Sequence, residues 1–309
     1  MVTKRRVGIL TFSDGRESVH QEVKSINEEF QEKLVTVLAG SGEVEPVAGR
    51  EIIWTAELAQ NEAKRLADLG CEATIFNFAV WSFPHLAVVA AKFAPGPFLL
   101  FSNINPRYPG MVGMLASAGA LDQIGVPHAR LFGDIRDPEV LRKVLSFIRA
   151  ASAINRLKGE TFGLFGGRPM GMYTAVANLD QWMREFGIDV EHIDQWEIVR
   201  GAEKAPNDEV EHAFHWLTTK VGKVHYDGKQ LTPDKLKLQI RSYIAVREMI
   251  KKYRLNFVGI KAQPELTDNF VTMDVTEALL NDPYDWNGPK EPKSFPFKTI
   301  DSGSCADEG

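Results

Sequence analysis

The sequence predicts an α/β protein built as two Rossmann-like domains, each a mostly parallel sheet flanked by helices. Three observations carry this. Strand-like and helix-like apolar patterns alternate along the chain, the arrangement that builds parallel sheets covered on both faces. The alternation pauses at Lys158-Gly159-Glu160 and starts again with a new strand and a glycine-rich turn. The chain has 309 residues, more than the ~250 that one core usually organises.

The elements follow in order. Residues 6–12 (RVGILTF) are a β-rich apolar run closed by the turn Ser13-Asp14-Gly15-Arg16. Over residues 18–38, Val19, Val23, Ile26, Phe30, Leu34 and Leu38 recur at helical intervals, and Gly40 and Gly42 end that helix. Residues 43–47 read as a short strand, and residues 55–69 as a helix stopped by Gly70. A buried strand over 73–78 leads into a loop over 79–84. A strand over 97–102 is followed by a loop over 103–110 and a helix over 111–124. A strand over 128–132 and a long amphipathic helix over 138–157 complete the first half.

The second half opens with a strand over 161–165 (TFGLF) and the turn Gly166-Gly167-Arg168-Pro169-Met170-Gly171. A helix is then expected through about residue 186, with Val176, Leu179, Trp182 and Met183 on one face and Gly187 as its cap. A strand over 188–193, helices over 207–218 and 232–253, a strand over 255–260 and a helix over 271–280 follow. The longest of these helices carries Leu236, Ile240, Tyr243, Ile244, Arg247 and Ile250 at helical spacing. The predicted domains are thus 1–158 and 159–292, with an irregular, loosely docked tail over 293–309.

Hydrophobic residues make up 44% and charged residues 25%, which excludes a fibrous or disordered chain. A formal net charge of −5 gives no electrostatic reason to expect nucleic acid or an anionic membrane. The cluster Lys4-Arg5-Arg6 reads as a solvated strand entry. Two cysteines, Cys71 and Cys305, cannot build a disulfide framework or a cysteine zinc site. The N-terminus has no signal-peptide pattern, and no apolar run approaches ~18 residues. A soluble cytoplasmic protein is expected.

Parallel sheets bind ligands at the carboxyl ends of their strands, so the loops at residues 14–16, 78–84 and 103–110 are where chemistry belongs. The glycine turn after residue 165 lacks the G-x-G-x-x-G spacing and the timely acid of a dinucleotide site, and reads as a sharp turn with close packing. His212 and His215, near Glu209 and Glu211, offer half a metal site with no third ligand at motif spacing, and read as a polar helix surface. There is no G-x-S-x-G elbow, and Cys71 begins a buried strand, which makes it core. The polar loop residues left are Asp14, Arg16, Trp81, Ser82, Asn103, Asn105, Arg107, Met170, Gln263, Glu265, Thr267 and Asp268. Sugar sites want such hydrogen-bonding groups beside an aromatic face. Arg16 and Trp81 fall at the ends of different strands, where such a site is built.

At these loops the sequence resembles the L-fucose isomerase family of aldose–ketose isomerases, which includes D-arabinose isomerases. The resemblance is carried, in order, by SDGRESV, NFAVWSFP, LFGGRPMGMY, KAQPELTD and, most specifically, NDPYDWNGPKEP. It runs from about Arg6 to Pro292. It implies subunits assembled as hexamers and a divalent metal, usually Mn²⁺, that binds the sugar carbonyl and a neighbouring hydroxyl. Two carboxylates and a histidine hold that metal and move the proton through an enediol. Arg16, Met170 and Gln263 match residues lining the sugar pocket. Trp81 matches an aromatic offered to a neighbouring subunit's active site.

The sequence departs from the family after Pro292. There the family runs into a strand bearing its first metal-binding glutamate, whereas here KSFPFKTIDSGSCADEG follows, and Asp301 and Glu308 do not fit that motif. The expectation is therefore a truncated relative with no catalytic or metal-binding residues and no cofactor of its own. It is expected to be inactive alone, or to need a C-terminal partner chain that completes the Mn²⁺ centre. A pentose or 6-deoxyhexose as ligand and a homo-oligomer, trimer or hexamer, belong to the same expectation. Loss of a third domain should also leave apolar surface at the end of domain two. The alternatives are a non-catalytic sugar-binding or regulatory module, or a gene remnant.

Overall fold

The computed structural model describes residues 4–104 and 107–290. The chain divides into two compact units, Met1–Arg156 and Leu157–Gly309. The tail expected over 293–309 lies outside the described residues, as do Asn105, Asp301, Cys305 and Glu308.

In the first unit five strands, β1 (Arg5–Thr11), β2 (Val44–Ala48), β3 (Ala73–Phe78), β4 (Phe98–Ser102) and β5 (His128–Phe132), form one parallel sheet in the order β2-β1-β3-β4-β5. Five helices connect them: α1 (Glu17–Gly40), α2 (Ala56–Asp68), α3 (Pro84–Ala91), α4 (Gly110–Gln123) and α5 (Pro138–Leu157). Alternation along the strands sorts the side chains into two cores. Leu10, Phe12, Phe76, Phe78 and Leu100 pack against α2, α3 and α4. Val7, Ile9, Ile75, Leu99 and Phe101 pack on the other face against α1 and α5. Cys71 is buried, and burial pushes its thiol up to about 11, so it is a core residue as the sequence indicates. Arg5 and Arg6 pair with Glu43 and Glu45 beside the entry of β2, which accounts for the basic N-terminal cluster.

Helix α3 begins at the last residue of the expected loop over 79–84 and runs through a stretch with no predicted element. Its residues, PHLAVVAA, are apolar on every side, so no 3.6-residue period marks it; Pro84 starts it with φ preset for a first turn.

The second unit holds a three-stranded parallel sheet, β6 (Thr161–Phe165), β7 (Asp189–Ile193) and β8 (Phe257–Ile260), in the order β7-β6-β8. Its helices are α6 (Leu179–Phe186), α7 (Gln195–Glu203), α8 (Asn207–Lys220), α9 (Pro233–Tyr253), α10 (Glu265–Asn269) and α11 (Asp274–Asn281). A short antiparallel hairpin, β9 (Tyr284–Asp285) with β10 (Gly288–Pro289), ends the described chain. Helix α9 is central: Ile240, Tyr243, Ile244, Val246 and Ile250 are all in the core.

Further features of the second unit differ from the sequence expectation. The helix after the glycine turn does not start there; residues 169–171 and 173–175 form isolated 3-10 turns, with Met170 left-handed at φ 44°. Helix α6 begins only where Asn178 can cap it by accepting a hydrogen bond from Gln181 N. Helix α7, capped by Asp194, lies in a stretch with no predicted element. Strand β8 begins at Phe257, because the backbone N of Leu255 is still bonded to Ile250 O at the end of α9; the Leu255 side chain fills the space a Cβ on Gly163 would need. The first sheet repeats the device, with Leu66 Cδ1 2.5 Å from a Cβ placed on Gly8. Among the described residues no helix is long and apolar enough to cross a membrane.

Candidate functional site

The order of the first sheet reverses between β1 and β3, since the chain leaves β1 for β2 on one side and crosses to β3 on the other. Loops diverge at such a switch point and leave a crevice at the carboxyl ends of the strands. The loop after β1 carries Arg16, and the loop after β3 carries Trp81. The two loops touch: a Cβ on Gly15 would come 2.7 Å from the Phe83 ring. The loops that bear Arg16 and Trp81 are thus neighbours in the fold.

Arg16 is held rather than free. Asp14 is buried, and its carboxylate accepts from Arg16 Nε at 2.8 Å, Nη2 at 2.7 Å and the backbone N at 2.9 Å. The hydrogen bonds from Arg16 outweigh the opposing effect of burial and hold the Asp14 carboxyl below the usual carboxylate range. The Arg16 side chain is still 63% exposed. A guanidinium has five N–H donors in a rigid fork, so two side-chain donors fix the group and the remaining edge faces outward. Trp81 is half-buried, in the loop that packs against the Arg16 loop through Gly15 and Phe83.

The loops after β3 and β4 bury polar atoms that are incompletely satisfied. Ser82 Oγ and both amide atoms of Asn103 are buried without a hydrogen-bond partner, at the ends of β3 and β4. Buried polar atoms are ordinarily paired, so these mark a place where water or a ligand hydroxyl completes the network. Beneath the crevice, Ser13 Oγ accepts from Asn27 Nδ2 at 3.1 Å and lies 3.0 Å from His20 Nδ1. The residue pattern does not single out this buried trio, because its members are 14 residues apart at most and no motif joins them.

The second sheet also reverses, at β6, and brings Met170 and Gln263 to the carboxyl ends of its strands. Gly166, at φ 96°, is required there: a Cβ would lie 2.9 Å from Lys261 Cβ and 3.0 Å from Gln195 Cγ. The glycine turn therefore packs three strand ends together, as the structural reading of its sequence holds, and no helix N-terminus follows it to receive a phosphate. Met170 is exposed and Gln263 half-buried. Around them Glu265 accepts from Lys261 Nζ at 2.5 Å and Thr267 Oγ1 donates to Ala262 O at 3.4 Å. The two pairs of candidate residues thus sit at equivalent places of their own units.

The most specific motif, NDPYDWNG, is an anchor. Tyr243 Oη donates to Asp285 Oδ2 at 3.1 Å, Trp286 stands edge-on to the Tyr243 ring at 5.4 Å, and the Arg247 guanidinium lies over the Trp286 ring at 5.7 Å. Burial, with the Asp285 carboxylate beside it, drives the Tyr243 hydroxyl well above the ordinary tyrosine range.

The described residues do not fit a Mn²⁺ centre: among them no three His, Cys, Asp or Glu side chains gather at metal-holding distance. His212 and His215 are both exposed, and the neighbouring acids Glu209 and Glu211 are taken by Arg247 at 3.0 Å and Lys237 at 2.6 Å.

Comparison with known proteins agrees with this architecture. The family "L-fucose isomerase, first N-terminal domain" matches residues 4–159, and "L-fucose isomerase, second N-terminal domain" matches residues 242–299. The second match continues seven residues past Pro292, where the motifs of the sequence reading stop. An L-fucose isomerase of Bacteroides fragilis is 26% identical across 93% of this chain and 55% of that protein. One from Bacteroides thetaiotaomicron is 30% identical across 61% of this chain and 40% of that protein, and one from Escherichia coli 26% identical across 60% and 36%. The chain spans about half the length, or less, of these curated relatives. With both N-terminal domain types matched in the order in which the two α/β units occur, the chain belongs to the L-fucose isomerase family.

Proposed function

We propose that this chain is the sugar-recognising part of an aldose–ketose isomerase of the L-fucose type, taking a pentose or 6-deoxyhexose and unable to isomerise it alone. The observation that carries the reading is the clamped, largely exposed Arg16 at the β1/β3 switch point, on a loop that touches the one bearing Trp81. A fixed guanidinium edge suits the adjacent hydroxyls of an open-chain sugar. An indole face suits the apolar side of its carbon chain. Met170 and Gln263, at the equivalent place of the second unit, would offer an apolar contact and an amide of their own. A homo-oligomer, trimer or hexamer, is part of the proposal, as the family resemblance implies.

Isomerisation through an enediol needs a base to remove one carbon-bound proton and an electrophile to stabilise the oxyanion. Among the described residues no three His, Cys, Asp or Glu gather as a metal-holding group. The proposal places those roles in a C-terminal isomerase part and not on Arg16, which is a permanent cation fit only to bind and orient. The test is an assay of the purified chain with L-fucose and D-arabinose, with and without Mn²⁺, beside calorimetry on the same sugars. Saturable heat without conversion is expected, as is conversion once a separately expressed C-terminal isomerase domain is added. Turnover by the chain alone would overturn the division of labour, and no heat with any pentose or 6-deoxyhexose would remove the sugar reading.

A further inference from the structure

The loop that bears Trp81 is seated on helix α4. Gly110 and Gly113 stand one turn apart on the buried side of that helix. A Cβ on Gly110 would lie 2.5 Å from Phe78 O and 2.8 Å from the carbonyl carbon of Ala79. A Cβ on Gly113 would lie 2.9 Å from Ser82 N and 3.1 Å from Val80 O. Val80 and Ser82 are the residues on either side of Trp81, so the backbone presses on Gly113 as it enters and as it leaves the tryptophan. A missing Cβ is what lets backbone approach a helix this closely. The crowding differs in kind from that at Gly8 and Gly163, where the neighbour is the end of a leucine side chain that can turn away.

We propose that Gly113 is a positioning residue for Trp81, and through it a determinant of sugar affinity. The effect on affinity rests on the sugar reading of Trp81; the effect on the ring does not. A methyl at Gly113 forces either α4 or the loop to give. Met114, Ala118 and Leu121 fix α4 in the core shared with Phe76, Phe78 and Leu100, whereas Ala79 and Val80 of the loop belong to a small cluster with Phe30. The loop therefore yields, and the peptide units that aim Trp81 move with it. The strand end behind it stays, since Ser102 Oγ donates to Phe78 O at 2.9 Å.

The experiment is ¹⁹F NMR of the full chain labelled with fluorotryptophan, the Trp81 line, one of six, being identified by its loss in Trp81→Phe. Gly113→Ala is expected to move that line by more than its width, while the lines of Trp182, Trp196, Trp216 and Trp286 in the second unit stay in place. A general loss of stability would not select one line. Gly119→Ala, the same change on the same helix where a Cβ meets open space, should leave every line unmoved. Calorimetry with L-fucose and D-arabinose should give a dissociation constant about 2- to 12-fold higher in Gly113→Ala, the cost of ordering one side chain at the site, and an unchanged one in Gly119→Ala. A folded Gly113→Ala whose Trp81 line is unmoved would overturn the proposal, as would a moved line with unchanged affinity. If that variant does not fold, the parent decides: a seated loop gives Trp81 one line as sharp as those of the other tryptophans, and a doubled or exchange-broadened line overturns the seat. No heat in the parent would remove the sugar reading alone, with the seat still decided by the Trp81 line.

Discussion

Ser13 Oγ and His20 Nδ1 lie 3.0 Å apart inside the protein, joining the end of β1 to the first turns of α1. The ring also stacks on Trp54 at 5.2 Å and 12°, so the imidazole is confined on its face and on its edge. Burial, reinforced by Lys24, lowers the pKa of His20 below the ordinary histidine value.

The sign of the resulting pH effect is fixed. A histidine with a depressed folded-state pKa is neutral in both states above its unfolded pKa of ~6.5. As pH falls through that value the unfolded chain gains a proton that the folded chain refuses, and stability drops until the lower folded value is reached. The urea midpoint should therefore fall between pH 7.5 and 5.5, and His20→Asn should show a shallower fall than the parent. Parallel pH profiles for the two proteins would contradict this.

Removing the clamp on Arg16 should weaken ligand binding without unfolding the protein. In Asp14→Ala the guanidinium must be ordered by the sugar instead of by the fold. The dissociation constant measured by calorimetry should then rise about 2- to 12-fold, the ordering cost of one long side chain. An unchanged dissociation constant, with unchanged circular dichroism, would show that Arg16 needs no support.

Gly8 is a packing requirement. Leu66 is fully buried, and its Cδ1 occupies the space a methyl on Gly8 would need. Gly8→Ala should cost about 1–3 kcal/mol by urea unfolding, the usual range for overpacking. Adding Leu66→Ala should give back part of that loss, so the double variant is more stable than the sum of the single changes predicts. Simple additivity would place the strain elsewhere.

Tyr243→Phe tests the anchor of the hairpin. It leaves a buried carboxylate oxygen of Asp285 without its donor, a loss of about 1–3 kcal/mol. Exchange protection at the β9–β10 hairpin should fall with global stability. A hairpin as protected as in the parent would make Tyr243 Oη dispensable.

The strands of the first sheet are legible in the sequence because each is a short apolar run followed by turn residues; their order is not, since right-handed crossovers narrow the possible arrangements without choosing one. The segment 169–178 is misread for an equally physical reason. Val176, Leu179, Trp182 and Met183 do keep helical spacing, but spacing says nothing about backbone angles, and the left-handed Met170 breaks the path. In the fold Val176, Leu179 and Met183 are about half exposed, not a core face. Helix α7 escapes because only Ile198 and Ala202 in it are buried, too few to set a period. At the site, the loops bearing Arg16 and Trp81 are predictable from topology. The grip of Asp14 is not, since it depends on that carboxylate being buried while the arginine stays outside.

The same Asp-x-Arg grip recurs in the first unit. After β5, Asp134 accepts from the backbone N, Nε and Nη2 of Arg136, the last at 2.7 Å. There the aspartate side chain is 42% exposed and Lys33 joins it at 3.2 Å, on the edge strand of the sheet. Three residues are thus enough to stiffen an arginine, and chains can make such arms wherever a strand ends. What separates the two copies is address: one stands over the seam where neighbouring loops part, the other on an outer margin where they do not. A stiff arm is a local product, and strand order determines whether it overlooks a crevice.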